Sequence, residues 1–214
     1  YEMLRSLVGS EMCIRDRQAT LQALQSQINP HFLYNTLECI RGQALMDGNT
    51  SVADMLEALG NFFRYSISRR ENVVTLADEI NNIRSYMLIQ NYRFLNRYQF
   101  ELEFLEDEEP LLGCYVPKLT LQPIVENALI HGFQNQKSGC VTLTVDASDS
   151  MLMLTISDDG EGMDAAVLEE LNRKIQSRQT LLRKPASHGN GIALQNVNRR
   201  IMTVSYTHLT LPTT

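Results

Sequence analysis

The chain of 214 residues has no tryptophan, six prolines, four cysteines and only 7% aromatic residues. Cys13, Cys39, Cys114 and Cys140 stand far apart and form no C-x-x-C pair. That excludes a cysteine-ligated zinc site and a small disulfide framework, and fits a reducing, cytosolic setting. No run of about 18 apolar residues occurs, so this sequence supplies no membrane-spanning helix of its own. Positive charge is in deficit, with 19 Lys and Arg against 25 Asp and Glu, a formal net charge of −6 and a pI near 5.3. A domain that grips nucleic acid by neutralising phosphates carries the opposite balance, so DNA and RNA are set aside. There is no G-x-x-x-x-G-K-[ST] phosphate loop and no catalytic H-R-D, which removes a P-loop and a eukaryotic kinase site. What remains is ordinary globular composition, 43% hydrophobic and 21% charged, enough for one large or two small domains.

Both ends break the patterns beside them. YEMLRSLVGSEMCIRDR (1–17) and VSYTHLTLPTT (204–214) resemble translated adaptor sequence, and we expect them to be non-native segments around an internal piece of a longer protein. Between them, good helix formers run from Gln18 to Met46, interrupted by Pro30 and stopped by Asp47, Gly48 and Asn49. A second helix is expected from a cap at Thr50 or Ser51, with Val52, Met55, Leu56, Leu59, Phe62, Phe63 and Ile67 at helical spacing. The two make an antiparallel hairpin. Thr75 with Asp78 forms a capping box that opens a third helix through Ile80, Ile83, Met87 and Phe94. Tyr98 to Phe104 alternates as a half-buried strand, and Glu106 to Pro110 reads as a loop. A helix around Leu121 to Ile130, strands near Val141 to Val145 and Leu152 to Ile156, and helices near Ala165 to Ser177 and Ile192 to Met202 follow. The expected class is α+β: a helical hairpin, then an α/β layer with helices on one side of a short sheet.

Two constellations carry chemistry. Leu21, Leu24 and Ile28 point one way and Leu33, Leu37, Ile40 and Ala44 another, so the buried stripe changes face at Pro30, where a kink is expected. His31, Asn35 and Glu38 share the face the second stripe leaves free. A histidine displayed to solvent can also be a surface residue without a role. The second constellation is three clusters: Glu126, Asn127, His131 and Gly132 in LQPIVENALIHGF; Asp158, Asp159, Gly160, Glu161 and Gly162 after a strand; and Gly189 and Gly191 before a helix. A D-x-G-x-G serves a plain turn as readily as a binding loop. It is not an EF-hand, since the alternating acids and distal Glu are missing. Glycines before a helix let backbone N–H groups approach a phosphate at its positive end, or form only a loop.

A histidine, an Asn-bearing helix, a D-x-G-x-G and a G-x-G in that order resemble the H, N, G1 and G2 boxes of sensor histidine kinases, and QINPHFLYNTLE, TLADEINNIRSYMLIQNYRF, LQPIVENALIHGF, DDGEGM and GNGIALQNVNRRI together resemble their LytS/YesM-like branch, over about Gln18 to Met202. The resemblance implies a dimerisation and phosphoacceptor region (18–97) and a GHKL-type ATP-binding domain (98–203). It implies that His31 is phosphorylated by ATP with Mg²⁺, then passes the phosphoryl group to an aspartate of a response regulator. It gives Asn127 the Mg²⁺, and Asp158 the adenine amino group. Gly160 and Gly162 would shape the adenine pocket. Gly189 and Gly191 would bound a lid between Gln179 and His188, and His131 joins the nucleotide-binding set. It also implies a homodimer and a membrane-anchored parent whose cytoplasmic part this is. The chain departs from the pattern at Phe32, where many kinases have an acid after the phosphoacceptor, leaving Asn35 or Glu126 as the assisting group. It departs again at Ile130, where many have Lys. The family continues beyond the last helix into two further strands, which the junction expected near Met202 would cut away. A conformational ATPase of the gyrase and MutL kind places a water-activating Glu four residues before the Mg²⁺-binding Asn, where this chain has Pro123. A non-catalytic nucleotide-binding dimerisation module is the third reading.

Overall fold

The computed structural model describes residues 30–68, 72–148, 151–176 and 192–204, and the chain divides into two compact units after Gly60. The stripe Leu21, Leu24 and Ile28, the expected lid with Gly189 and Gly191, and all but Val204 of the two end segments lie outside the described residues.

In the N-terminal unit, helix α1 (Pro30–Met46) stops at Gly48, whose φ of 74° a side chain would resist. The amides of Gly48 and Asn49 return to the carbonyls of Leu45 and Ala44 at 3.1 and 2.8 Å, the paired bonds of a Schellman turn. The cap of helix α2 (Thr50–Ile67) is Asn49, not Thr50 or Ser51: its Oδ1 accepts the Val52 amide at 3.2 Å. The reason is geometric, because Asn49 is the last residue outside the helix and its short side chain reaches the third helical N–H. Leu37 and Ala44 on α1 and Ala53, Leu56 and Ala58 on α2 are buried, while Ile40, expected on the same stripe, is 48% exposed. Arg41 pairs with Glu38 on its own helix at 3.1 Å and with Glu57 on α2 at 3.6 Å. Among the described residues no helix is long and apolar enough to cross a membrane.

The C-terminal unit takes up α2 from Asn61 onward. Strand β1 (Val73–Thr75) leads into helix α3 (Leu76–Arg93), and the expected capping box is present: Thr75 accepts from the Asp78 amide while Asp78 accepts from the Thr75 amide. Strand β2 (Tyr98–Phe104) alternates as expected. The acidic stretch does not stay a loop. Glu108–Leu112 turns into a short helix α4, its two acids lying in the first turn where the helix dipole favours them. Strand β3 (Tyr115–Pro117) pairs antiparallel with β1, Val74 opposite Val116. Helix α5 (Gln122–Asn127) passes into a π-helical turn, Ala128–Gly132, where an unbroken α-helix was expected.

Strands β4 (Gly139–Ser148) and β5 (Met151–Asp158) complete a sheet of order β2-β4-β5, with β2 parallel and β5 antiparallel to β4. Val141, Leu143 and Val145 are fully buried and pack in one core with Leu76, Ile80, Ile83 and Met87 of α3 and with Val125, Leu129 and Phe133. Burying three such side chains contributes roughly 5 to 9 kcal/mol. Met151 and Met153 on the opposite face are more than half exposed, so the helices cover one side of the sheet, as the alternation required. Helices α6 (Ala165–Gln176) and α7 (Ile192–Val204) meet through Leu171, Ile175 and Leu194, and the Asn198 amide donates to the Ile175 carbonyl at 2.9 Å.

Candidate functional site

His31 and Asn35 are exposed on α1, and the Asn35 amide lies one helical turn from the imidazole, its Nδ2 donating to Nδ1 at 3.3 Å. An amide nitrogen placed there makes Nδ1 the acceptor and leaves the ring proton on Nε2. Turned over, the amide oxygen accepts from Nδ1–H and puts the lone pair on Nε2. Asn35 can therefore select the tautomer, which is a chemical lever on a nucleophilic nitrogen. Glu38 is drawn away into its ion pair with Arg41.

The remaining candidates belong to the C-terminal unit. At the end of β5, Asp158 Oδ1 accepts the Gly160 amide at 3.0 Å, and the Glu161 amide donates to the Gly132 carbonyl at 3.0 Å. The D-x-G-x-G loop is thus folded against the end of the π-helical turn. This contact tolerates no side chain: a Cβ on Gly132 would stand 2.9 Å from Asp158 Oδ1, and one on Gly160 would stand 2.6 Å from the Gly132 carbonyl oxygen. Gly162 has φ of 73°, which lets the loop leave the sheet. Asp159 is a turn residue, its Oδ1 accepting the Cys140 amide at 2.7 Å. Asp158 itself is exposed and, among the described residues, its Oδ2 takes no hydrogen bond. A carboxylate held by one oxygen and open at the other, beside two glycines, fits a flat ligand with an amino donor. Gly132, which sequence reasoning grouped but did not assign, is the second wall of this cradle.

Asn127 closes α5, and its side chain takes no hydrogen bond from another described residue, while His131 is exposed within the π-helical turn. No three His, Cys, Asp or Glu side chains converge among the described residues. A hard divalent ion would therefore draw most of its oxygen ligands from phosphates and water, with Asn127 contributing one, which suits Mg²⁺ better than an all-protein cage. Glu126 looks elsewhere. Its Oε1 accepts from Gln122 at 2.7 Å, and Gln122 accepts from Asn82 of α3 at 2.7 Å. Tyr86 shares that side; burial, then the charge of Glu126, pushes its hydroxyl pKa far above the ordinary tyrosine range.

Sequence reasoning missed the group that seats α5. Glu79 is fully buried, and its carboxylate accepts the backbone amides of Leu119, Thr120 and Leu121 at 2.6, 2.8 and 2.9 Å, together with the Tyr65 hydroxyl. Leu119 holds φ of 58°, a left-handed conformation costing a non-glycine residue about 1 to 2 kcal/mol. Arg200 of α7 donates to the carbonyls of Lys118 and Leu119. The signal was present: Glu79 stands on the apolar face of α3 between Leu76 and Ile83, where an acid survives only if fully paired.

Residues 19–98 match the family model described as histidine kinase, and residues 117–213 the model described as histidine kinase-, DNA gyrase B-, and HSP90-like ATPase. The chain is 35% identical over 201 residues to sensor histidine kinase YesM of Bacillus subtilis, covering 94% of this chain and 31% of that protein. It is 31% identical over 188 residues to sensor protein LytS of Bacillus cereus, covering 87% of this chain and 30% of that one. Against sensor histidine kinase YpdA of Escherichia coli it is 31% identical over 186 residues, with 86% and 30% covered. The chain thus spans about 30% of the length of these curated relatives.

Proposed function

The chain belongs to the sensor histidine kinases, and we propose on that footing that it is the part of a two-component sensor kinase that phosphorylates itself on His31 and hands the phosphoryl group to a response-regulator aspartate. The observation that carries this reading is the amide of Asn35 set against the imidazole of an exposed histidine, in a chain whose second region matches an ATPase family. With Asn35 Oδ1 accepting from Nδ1–H, the Nε2 lone pair attacks the γ-phosphorus of ATP. The N–P bond forms as the bond to the β-phosphate's bridging oxygen breaks and ADP leaves, and the ring keeps its Nδ1 proton until solvent removes it. Attack by a neutral tautomer needs no base, which answers the presence of Phe32 where many histidine kinases have an acid. Glu126, engaged with Gln122, is then the lesser candidate for assistance.

Asp158 Oδ2 accepts from the adenine amino group, Gly160 and Gly162 shape the loop around the base, and His131 and Asn127 flank the nucleotide. Asn127 would hold Mg²⁺ through its side-chain oxygen, and the ion would supply neutralisation of the phosphate charge. Gly189 and Gly191 remain proposed lid residues, outside the described structure. Residues 18–97 act as dimerisation and phosphoacceptor region and 98–203 as ATP-binding domain, in a homodimer whose parent is membrane-anchored.

Asn35→Ala is expected to leave ATP affinity unchanged while slowing autophosphorylation about 10-fold, the scale of a lost orienting contact. It should also alter regulator dephosphorylation, because the same amide can hydrogen-bond a water approaching the phosphorus. Glu38→Ala, already paired with Arg41, should change either rate less than twofold. Rates of labelling, transfer and dephosphorylation for both variants decide it, and an Asn35→Ala protein equal to the parent in all three removes Asn35 from the mechanism.

A further inference from the structure

We infer that Tyr65 and Glu79 are positioning residues that tie the end of α2 to the turn from which α5, and with it Asn127, departs. The inference rests on the kinase reading above for its consequence, though not for its geometry. From Asn61 onward α2 belongs to the C-terminal unit, and its last two turns make several attachments there. The Tyr65 hydroxyl donates to Glu79 Oε1, the same oxygen that accepts the Leu119 amide. Lys118, the residue before, lies over the Tyr65 ring at 4.6 Å and donates through Nζ to the Ser68 carbonyl at 2.7 Å. Burial and the Glu79 bond keep the phenol protonated far beyond the ordinary tyrosine range, so the hydroxyl remains a donor at every working pH.

The turn so gripped is not a relaxed one. Leu119 is held in the left-handed region, its amide fixed by Glu79 and its carbonyl by Arg200. A residue persists there only where its surroundings over-determine it. Three residues after Leu119, α5 begins at Gln122, and it ends at Asn127 without an intervening loop. A short helix with no slack transmits a displacement of its first turn to its last. The other end of α2 lies in the unit that carries His31. A shift or rotation of α2 therefore reaches Asn127 through the Tyr65–Glu79 bond and the strained turn, and the position of the helix sets how well the metal-binding amide meets the phosphates.

A merely structural anchor makes a different prediction. Three backbone amides already satisfy the Glu79 carboxylate, and Lys118 keeps its cation–π contact with a phenylalanine ring. Removing the Tyr65 hydroxyl should thus spare the fold and disturb only the coupling. In the intact kinase, Tyr65→Phe is expected to lower kcat for His31 labelling about 10-fold, the scale of a sub-ångström misplacement. The Kd for a non-hydrolysable ATP analogue, KM for ATP and the thermal midpoint should stay within twofold or 2 °C of the parent. Hydrogen exchange should quicken at the amides of residues 119–127 and nowhere else in the C-terminal unit. Unchanged kcat and unchanged exchange overturn the inference, and so does a kcat loss explained by a fallen midpoint or a raised KM. If the parent itself fails to label, the kinase reading falls, while the exchange measurement still decides whether the tie exists.

Discussion

Asp158→Asn is expected to bind ATP about 100-fold more weakly than the parent, although it is a change of one atom. The Gly160 amide already claims one oxygen of Asp158 at 3.0 Å, and an asparagine must satisfy that N–H with its single carbonyl oxygen. Its NH₂ group then faces outward, where the adenine amino group would also be donating. One charge-assisted hydrogen bond is lost, worth about 1.5 to 3 kcal/mol, and two donors are brought together. Tenfold in affinity for each 1.4 kcal/mol gives the expected factor. Metal dependence should be unaffected, since Asn127 is untouched. Calorimetry with a non-hydrolysable ATP analogue reads the difference; unaltered affinity would make Asp158 a turn residue like Asp159.

The second large effect is on stability. Glu79→Ala strands the amides of Leu119, Thr120 and Leu121, which the fully buried carboxylate holds at 2.6 to 2.9 Å. Each orphaned buried donor costs about 1 to 3 kcal/mol, and the left-handed Leu119 would keep the Arg200 bond to its carbonyl but lose the one to its amide. A loss of at least about 3 kcal/mol is expected, a large part of an ordinary domain's total. The thermal midpoint should fall by roughly 10 °C. Glu79→Gln keeps the shape and one acceptor oxygen, so it should fall between alanine and the parent. Equal midpoints for all three proteins would show that the buried carboxylate contributes nothing net to the fold.

How much of this was legible in the sequence depended on how local the cause was. The Thr75–Asp78 capping box and the alternation of Phe100, Leu102 and Phe104 rest on residues within one turn or one strand, and both were read correctly. The strand pair β1 and β3 was missed because each strand has only three residues and its partner lies far along the chain. The π-helical turn at Ala128–Gly132 has no periodic signature of its own and becomes necessary only where Gly132 meets the Asp158 loop. Glu79 was overlooked for a similar reason: its three amide partners lie 40 to 42 residues onward. Of the site, the histidine face and the glycine–aspartate loop were visible as residue types at fixed spacing. The wall that Gly132 adds, and the turning of Glu126 toward Gln122, depend on packing that one-dimensional order does not encode.

Whether His31 is the phosphoacceptor is decided by mapping the label. The intact kinase is incubated with Mg²⁺ and γ-labelled ATP, divided between acid and alkali, digested, and sequenced by mass spectrometry. An acid-labile, alkali-stable phosphoryl group is expected on the peptide containing His31, and none in a His31→Gln variant that still binds ATP with the parent's affinity. Acid-stable label on a hydroxyl residue, or a His31→Gln protein that labels as well as the parent, would contradict it.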